Sequence, residues 1–408
     1  MKRLFLLLII TCAALQSKSQ DFNDFFCDST LRIDYIFAGT SVEQHIFLDE
    51  LSKSARWYGK RQRLAEVPLA GNGTITMTDD ATGKAIYRNS FSTLFQEWLY
   101  TAEAKTTSKA FENVFLTPMP RRSATISIEL RDFHNRTIAS LQHKVNPDDI
   151  LIRQLRQKNP YVTLQQASDT TRCIHIAFVA EGYTSSQFDD YLADCNTAMD
   201  ALFAHEPFKS LRDRFNIIAL LNASHDSDVS QPGRGIWLDT SLGSHFDTFY
   251  TTRYLTTLRL SQLHDRLAAT PYEHIIILAN TEHYGGGGIF NSYNLSYTRG
   301  SNFKPVVVHE FGHSFGGLGD EYPYGDEDPM YFADTEPWEP NLTTRNTAPA
   351  KWQKLIDQGK AGLVEGGGYL SKGVWRPQHD CRMRTNKFPE FCNVCQDALS
   401  SLINFYTK

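Results

Sequence analysis

The chain has 408 residues, of which 41% are hydrophobic, 21% charged and 12% aromatic. That length favours two or three domains, each able to bury a core, and the composition excludes a mainly disordered or collagen-like chain. Lys and Arg number 41 against 46 Asp and Glu, a formal net charge of −5, and the basic residues are scattered, so no nucleic-acid partner is expected.

The N-terminus reads Met1-Lys2-Arg3, then an apolar run from Leu4 to Ile10 that weakens towards Leu15. A short basic head, an apolar stretch and small residues beyond it are the layout of a secretory signal. Residues 1–19 are therefore read as a signal peptide, cut before Gln20 with Ser17 and Ser19 in the small-residue positions. The expected location is exported: periplasm, cell surface or extracellular. A lipoprotein anchor at Cys12 is the alternative, disfavoured by the bulk of Thr11. Beyond residue 20 no apolar run reaches the ~18 residues a membrane-spanning helix needs.

Residues 20–150 read as an all-β, sandwich-like accessory domain. Short alternating or β-branched segments at 30–38, 74–78, 85–88, 123–131 and 136–145 are separated by turn residues at Gly71-Asn72-Gly73, Asp79-Asp80, Pro118 to Pro120 and Asn135. No cluster of His, Asp, Glu or Ser there suggests chemistry. A polar stretch with Pro147 and Pro160 sets a linker at 151–168. From 169 to 408 the pattern changes. Buried-type strands are expected at 173–180, 215–221 and 273–279, with helices at 185–203 and around 255–269, an α/β (α+β) arrangement. Four glycines, Gly285 to Gly288, precede a segment at 289–297. No Gly-Lys-Ser/Thr follows, so they are not a phosphate loop; they suit a flexible turn or a close backbone approach. The stretch 288–297 is read as an edge strand able to pair with extended substrate, or else as a plain sheet strand.

The segment Pro305 to Tyr322 carries the chemistry. It contains His309-Glu310-Phe311-Gly312-His313. On a helix, residues i and i+4 share a face, so both imidazoles can grip one ion. Glu310 is rotated by about 100° from His309 and can reach a water rather than the ion. Two nitrogen ligands, an open position and a carboxylate base are what a metal-dependent hydrolase needs. Gly316, Gly317 and Gly319 then let the helix stop and the chain fold back. Asp320 is the favoured third ligand, with Glu321 or a more distant residue as the competitor. The expected ion is Zn2+.

Six cysteines lie beyond the signal: Cys27, Cys173, Cys195, Cys381, Cys392 and Cys395. An exported chain with an even count permits disulfides, and at least one bridge is expected to close locally among the last three. A structural zinc is the alternative. It would need His379 and Cys381 as the partner pair of Cys392-Asn-Val-Cys395.

The motif His309-Glu310-x-x-His313-x-x-Gly316 resembles the metzincin zinc-peptidase helix. Metzincins usually place a His or Asp at the position held here by Gly319, and in this chain the acid, Asp320, comes one later. The longer string ending Gly319-Asp320-Glu321-Tyr322 is similar to the IgA peptidase family of bacterial zinc endopeptidases. Phe178-Val179-Ala180-Glu181-Gly182-Tyr183-Thr184, Glu206-Pro207-Phe208, Arg214-Phe215-Asn216, Cys381-Arg382-Met383-Arg384 and Phe391-Cys392-x-x-Cys395 resemble further segments of that family. The resemblance covers roughly residues 170–400. It implies a metzincin-like catalytic fold, proteolysis, and Met383 as the methionine of the turn beneath the metal. Where some metzincins carry an oxyanion-stabilising tyrosine, this chain has Thr385; Tyr322 is the substitute.

The expected activity is that of a secreted zinc-dependent endopeptidase acting on a protein or peptide substrate, with immunoglobulin A or another host or environmental protein as target. Two alternatives stand beside it: a catalytically inactive, metalloprotease-like surface binding protein, and a zinc amidase acting on peptidoglycan peptides. Retention of Glu310 speaks against the first. The second shares the metal chemistry and differs only in substrate.

Overall fold

The structure is a computed structural model that describes residues 21–323, 330–347 and 349–408. The signal-like residues 1–19, Cys12 among them, lie outside the described residues. The fold is mixed α+β, with several sheets and a β-rich N-terminal region.

The strands of the first half are β1 (Phe26–Gly39), β2 (Gln44–Ala55), β3 (Gly73–Asp79), β4 (Ala85–Phe91), β5 (Lys109–Pro120), β6 (Ala124–Arg131), β7 (Thr137–Val145), β8 (Arg153–Gln154) and β9 (Tyr161–Gln165). The second half holds β10 (Ile174–Glu181), β11 (Phe215–Leu220), β12 (His274–Ala279), β13 (Gly286–Ile289), β14 (Tyr293–Tyr297), β15 (Val364–Gly367) and β16 (Leu370–Arg376). The α-helices are α1 (Phe22–Phe25), α2 (Leu94–Trp98), α3 (Phe188–Phe203), α4 (Leu260–Arg266), α5 (Phe303–Ser314), α6 (Gln353–Asp357) and α7 (Asn393–Thr407).

Two four-stranded sheets, in the orders β5-β1-β2-β8 and β4-β3-β6-β7, make up the N-terminal region. Their facing residues alternate along each strand, as in β6, where Ala124, Ile126, Ile128 and Leu130 are buried. Phe91 of β4 meets Phe37 of β1 and Phe115 of β5 with ring centroids 6.4 and 4.4 Å apart, so the two sheets close on one aromatic core. Two strands escape the sequence pattern. In β2 only Ile46 and Ser52 are buried, which leaves no alternation to see. In β5 the residues expected to form a turn, Pro118 to Pro120, are instead paired with Thr30 and Phe26 of β1. They are tolerated because β5 is an edge strand, where proline's missing N–H faces no partner.

The segment expected as a linker is strand near both ends: β8 pairs with β2 of the first sheet and β9 pairs with β11 of the next. That next sheet has six strands in the order β13-β14-β12-β10-β11-β9. Strands β14, β12, β10 and β11 are mutually parallel, with antiparallel β13 and β9 at the edges. β10 and β12 are buried on both faces, which is why they read as continuous apolar runs. Ile174, Ile176, Phe178 and Ala180 of β10 pack against α3, α5 and α7. Ala177 and Val179 face the other way and join the core of the N-terminal sheets together with α4. Arg32 of β1 reinforces this junction, reaching Asp265 of α4 at 2.6 Å while holding Asp34.

Helix α4 is shorter than the expected 255–269 because the preceding residues are extended: Tyr254 bridges Gly286 and Thr256 bridges His245. His264 on α4 is buried, 2.8 Å from the Tyr272 hydroxyl. Burial, aided by the Arg32 charge, pushes the imidazole down to about 3. The folded chain then holds His264 neutral, whereas the unfolded chain takes up a proton near pH 6.5. Stability is therefore full above about pH 6.5 and declines as pH falls towards 3, by on the order of a few kcal/mol. Denaturant titrations at pH 7 and pH 4.5 check this: His264→Gln should flatten the slope between them, and an unchanged slope would remove His264 from the account.

Candidate metal centre

Helix α5 starts after Asn302 and carries Pro305 in its first turn, where the missing N–H has no intrahelical partner to lose. Val306, Val307, Val308 and Phe311 are buried. They anchor the helix against the six-stranded sheet, so packing overrides the weak helix propensity of the valine run. The Asn294 amide of β14 donates to the Val307 carbonyl at 3.0 Å. On the other side β13 runs almost in contact with the helix. A Cβ on Gly288 would lie 2.3 Å from the Glu310 carbonyl oxygen and 3.0 Å from His313 Cβ. The glycine run is therefore a close approach rather than a flexible turn. The hairpin also divides the stretch expected as one strand: only β13 is at the edge, β14 is internal, and Tyr254 covers the edge at Gly286.

The imidazoles of His309 and His313 converge as their spacing requires, with Nε2 atoms 3.0 Å apart. His309 Nδ1 is 3.0 Å from the Arg382 carbonyl and His313 Nδ1 is 2.5 Å from the Leu318 carbonyl. A carbonyl only accepts, so each Nδ1 donates, and Nε2 is the nitrogen each ring can offer to an ion. At Gly317 the chain turns through a left-handed conformation (φ 57°), and three residues later Asp320 returns to the histidines. Its Oδ1 lies 3.0 Å from His309 Nε2 and 3.3 Å from His313 Nε2. That oxygen is buried and makes no hydrogen bond. Three electron-pair donors thus face one another at the edge length, about 3.3 Å, of a tetrahedron with metal–ligand bonds near 2.0–2.1 Å. Two nitrogens and a carboxylate oxygen so arranged fit a divalent cation and repel one another without a positive charge among them.

The electrostatics agree. Burial opposes an imidazolium at His313, but the Asp320 carboxylate outweighs it and raises the group to about 9. The Asp320 carboxyl, penalised by burial, is nevertheless held far below the ordinary carboxylate range by His313 and His309. Glu310 shares the pocket, with a carboxylate oxygen within 4.8 Å of ligand atoms of both histidines. Burial raises its proton affinity against the pull of the two imidazoles.

Sequence comparison places this geometry in context. The sequence model of the family described as IgA Peptidase M64 matches residues 162–362 and 358–403, and that of the peptidase M64 N-terminus matches residues 21–142. The chain belongs to the IgA peptidase M64 family. No curated protein matches it. Membership makes peptide-bond hydrolysis the reaction class of this M64 chain.

The remaining expected residues gather around the same point. Met383 is buried, and its Sδ would lie 2.6 Å from a Cβ on Gly312, so it packs under the helix between the two histidines. The Tyr322 ring stacks parallel to His309 at 6.4 Å between centroids. Glu321, the competitor for third ligand, points away: its carboxylate meets Asn341 at 2.9 Å and the thiols of Cys392 and Cys395. Several participants carry no sequence signal. Tyr369, at the tip of the β15–β16 hairpin, donates to Asp320 Oδ2 at 2.5 Å, and the Gly368 N–H donates to the Asp320 carbonyl at 2.8 Å. Glu97 comes from the N-terminal region on α2 and accepts from the Tyr254 hydroxyl. Burial, offset in part by that hydrogen bond and by His313, raises Glu97 to about 7. A cavity lined by Trp57, Lys60, Tyr87, Glu273 and Tyr406 contains none of these residues.

All six described cysteines are free thiols. The expected local bridge is not formed: Cys381 Sγ and Cys395 Sγ, for example, stand 3.8 Å apart against the ~2.05 Å of a disulfide. His379 is exposed and is not among the residues whose ligand atoms gather with those of Cys381, Cys392 and Cys395.

Proposed function

We propose that this M64 family member is an exported zinc endopeptidase with a metzincin-like catalytic unit at 169–408 and an accessory unit at 20–150. The observation that carries the reading is the convergence of His309 Nε2, His313 Nε2 and Asp320 Oδ1 within 3.0–3.3 Å beside a half-buried Glu310. His309, His313 and Asp320 would hold the ion, and the backbone carbonyls of Arg382 and Leu318 orient the two rings. A zinc ion in such a site supplies Lewis acidity, which acidifies water and polarises a carbonyl. Glu310 accepts the proton of the attacking water and passes it to the departing amine. Its raised proton affinity suits both halves of that transfer. The Tyr322 phenol is kept protonated by burial and by the Asp320 and Glu310 carboxylates, and is proposed as a hydrogen-bond donor to the developing oxyanion. Met383 fills the space under the ligand pair.

The purified full chain should cleave fluorescently labelled casein, lose that cleavage on dialysis against a chelator, and regain it with stoichiometric zinc. Cleavage that persists in protein shown to be metal-free would refute the reading. Immunoglobulin A in parallel reactions tests the substrate that the family name carries. Among the described residues no helix is long and apolar enough to cross a membrane. The basic head and apolar run at residues 1–19 support export; N-terminal sequencing of the secreted product should read from Gln20, and an intact Met1 would overturn export.

A further inference from the structure

The geometry points to a second metal site, built by Cys381, Cys392, Cys395 and Glu321, that takes a thiolate-preferring divalent cation such as zinc. One ligand atom from each of these four buried residues lies within 4.8 Å of the others. In a tetrahedral zinc site with Zn–S bonds of about 2.3 Å, sulfur–sulfur edges measure about 3.8 Å and sulfur–oxygen edges about 3.5 Å. Here Cys381 Sγ and Cys395 Sγ are 3.8 Å apart, and Glu321 Oε1 lies 3.3 Å from Cys395 Sγ and 3.9 Å from Cys392 Sγ.

Two independent observations favour a cation here over a group of neutral thiols. First, Glu321 is fully buried and its Oε2 has no hydrogen-bond partner, an arrangement that costs free energy unless a positive charge is held nearby. Second, backbone N–H groups and positive charge gather around sulfurs that burial alone would keep neutral: burial pushes the Cys381 and Cys395 thiols up, and only Cys392 is lowered, by its hydrogen bonds to those two. The backbone N–H groups of Cys392 and Met383 point at Cys381 Sγ at 3.2 and 3.4 Å. Cys392 caps the N-terminus of the fifteen-residue α7, and Cys395 sits in its first turn. Arg376, itself buried, acts electrostatically on Glu321, and Arg382 acts on Cys381. They compensate the negative charge that three thiolates and a carboxylate leave around a divalent ion. Soft sulfur donors select zinc over magnesium or calcium.

The position gives the site a structural task. Glu321 follows Asp320 directly, Cys381 precedes Arg382 and Met383, and Glu321 N–H donates to the Met383 carbonyl at 2.9 Å. A cation here would clamp the third-ligand loop, the turn that orients His309, and α7 to one another. The inference does not depend on the catalytic reading, because its ligands are a separate set.

Elemental analysis of the full chain, purified with reductant and without chelator, should find two metal equivalents in wild type. It should find one in the His309→Ala/His313→Ala variant, and at most one in Cys392→Ser/Cys395→Ser. Cobalt exchanged into the His309→Ala/His313→Ala variant should give an intense thiolate-to-cobalt charge-transfer band, which imidazole and carboxylate ligands do not produce. If either variant fails to fold, wild type answers alone: its cobalt form should show the same band, and Glu321→Gln should weaken it by lowering affinity tenfold or more. A single equivalent in wild type that disappears with His309 and His313 would overturn the inference. So would a cobalt spectrum without the thiolate band, or a disulfide among Cys381, Cys392 and Cys395 found by mass spectrometry of the unreduced chain.

Discussion

Glu310→Ala is expected to yield a folded, zinc-loaded protein whose kcat/KM is lower by at least ~10²–10⁴-fold, the contribution of a positioned general base. The reasoning starts from helix geometry. His309 and His313 occupy one face of α5, and Glu310, a residue further round, contributes a carboxylate to the pocket while Asp320 supplies the closest oxygen to both Nε2 atoms. Removing it should therefore spare the ion, and elemental analysis of the variant should match wild type. Burial raises the proton affinity of Glu310 above that of an ordinary carboxylate. As a base it must be ionised, so activity should rise with pH through its folded value. The acid limb of the pH profile should then follow Glu310, raised by burial and drawn back down by the cation it faces. Glu310→Asp, which keeps the base but shortens its reach, should retain more activity than Glu310→Ala and the same acid limb. Wild-type turnover by Glu310→Ala, with its metal intact, would exclude this residue as the base.

How much of this could be read from the chain depended on the range of the interaction. The convergence of His309 and His313 was legible because a four-residue spacing on a helix is a local fact. Asp320 was legible because Gly316, Gly317 and Gly319 mark the helix stop that turns it back. The central strands β10 and β12 were legible because burial on both faces forces continuous apolar runs. The parts that escaped depend on long-range pairing. β5 hides behind Pro118 and Pro120, acceptable only because it lies at a sheet edge. Tyr369 reaches Asp320 across 49 residues, and no short pattern announces it. The Arg382 carbonyl that orients His309 is a backbone atom and has no sequence signature. Glu321 and the three cysteines form a cluster from three separate segments. The sequence groups Cys381, Cys392 and Cys395 locally, but the carboxylate that joins them, Glu321, comes from a segment sixty residues upstream of Cys381 and not from neighbouring His379. A carboxylate beside Asp320 looks redundant until the structure shows Asp320 at the two histidines and Glu321 at the thiols.

Asp320→Ala should cost more metal affinity than any single change outside the two histidines, well beyond the 10–100-fold expected for loss of a partner that only orients a ligand. The ordering tests the architecture. Asp320 Oδ1 lies 3.0 and 3.3 Å from the two imidazole Nε2 atoms, whereas Oδ2 is held by the Tyr369 hydroxyl. Tyr369→Phe removes that orienting bond and leaves the ligand, so it belongs in the 10–100-fold class. Asp320→Asn keeps the size but loses the carboxylate charge that would face the ion, and should fall between the two. Competition with a chromogenic zinc chelator at pH 7.5 measures all three. If Asp320→Ala retained stoichiometric zinc with wild-type affinity, the third position would pass to another residue. If Tyr369→Phe proved as damaging as Asp320→Ala, the hydroxyl would have to be a ligand itself rather than the support of one.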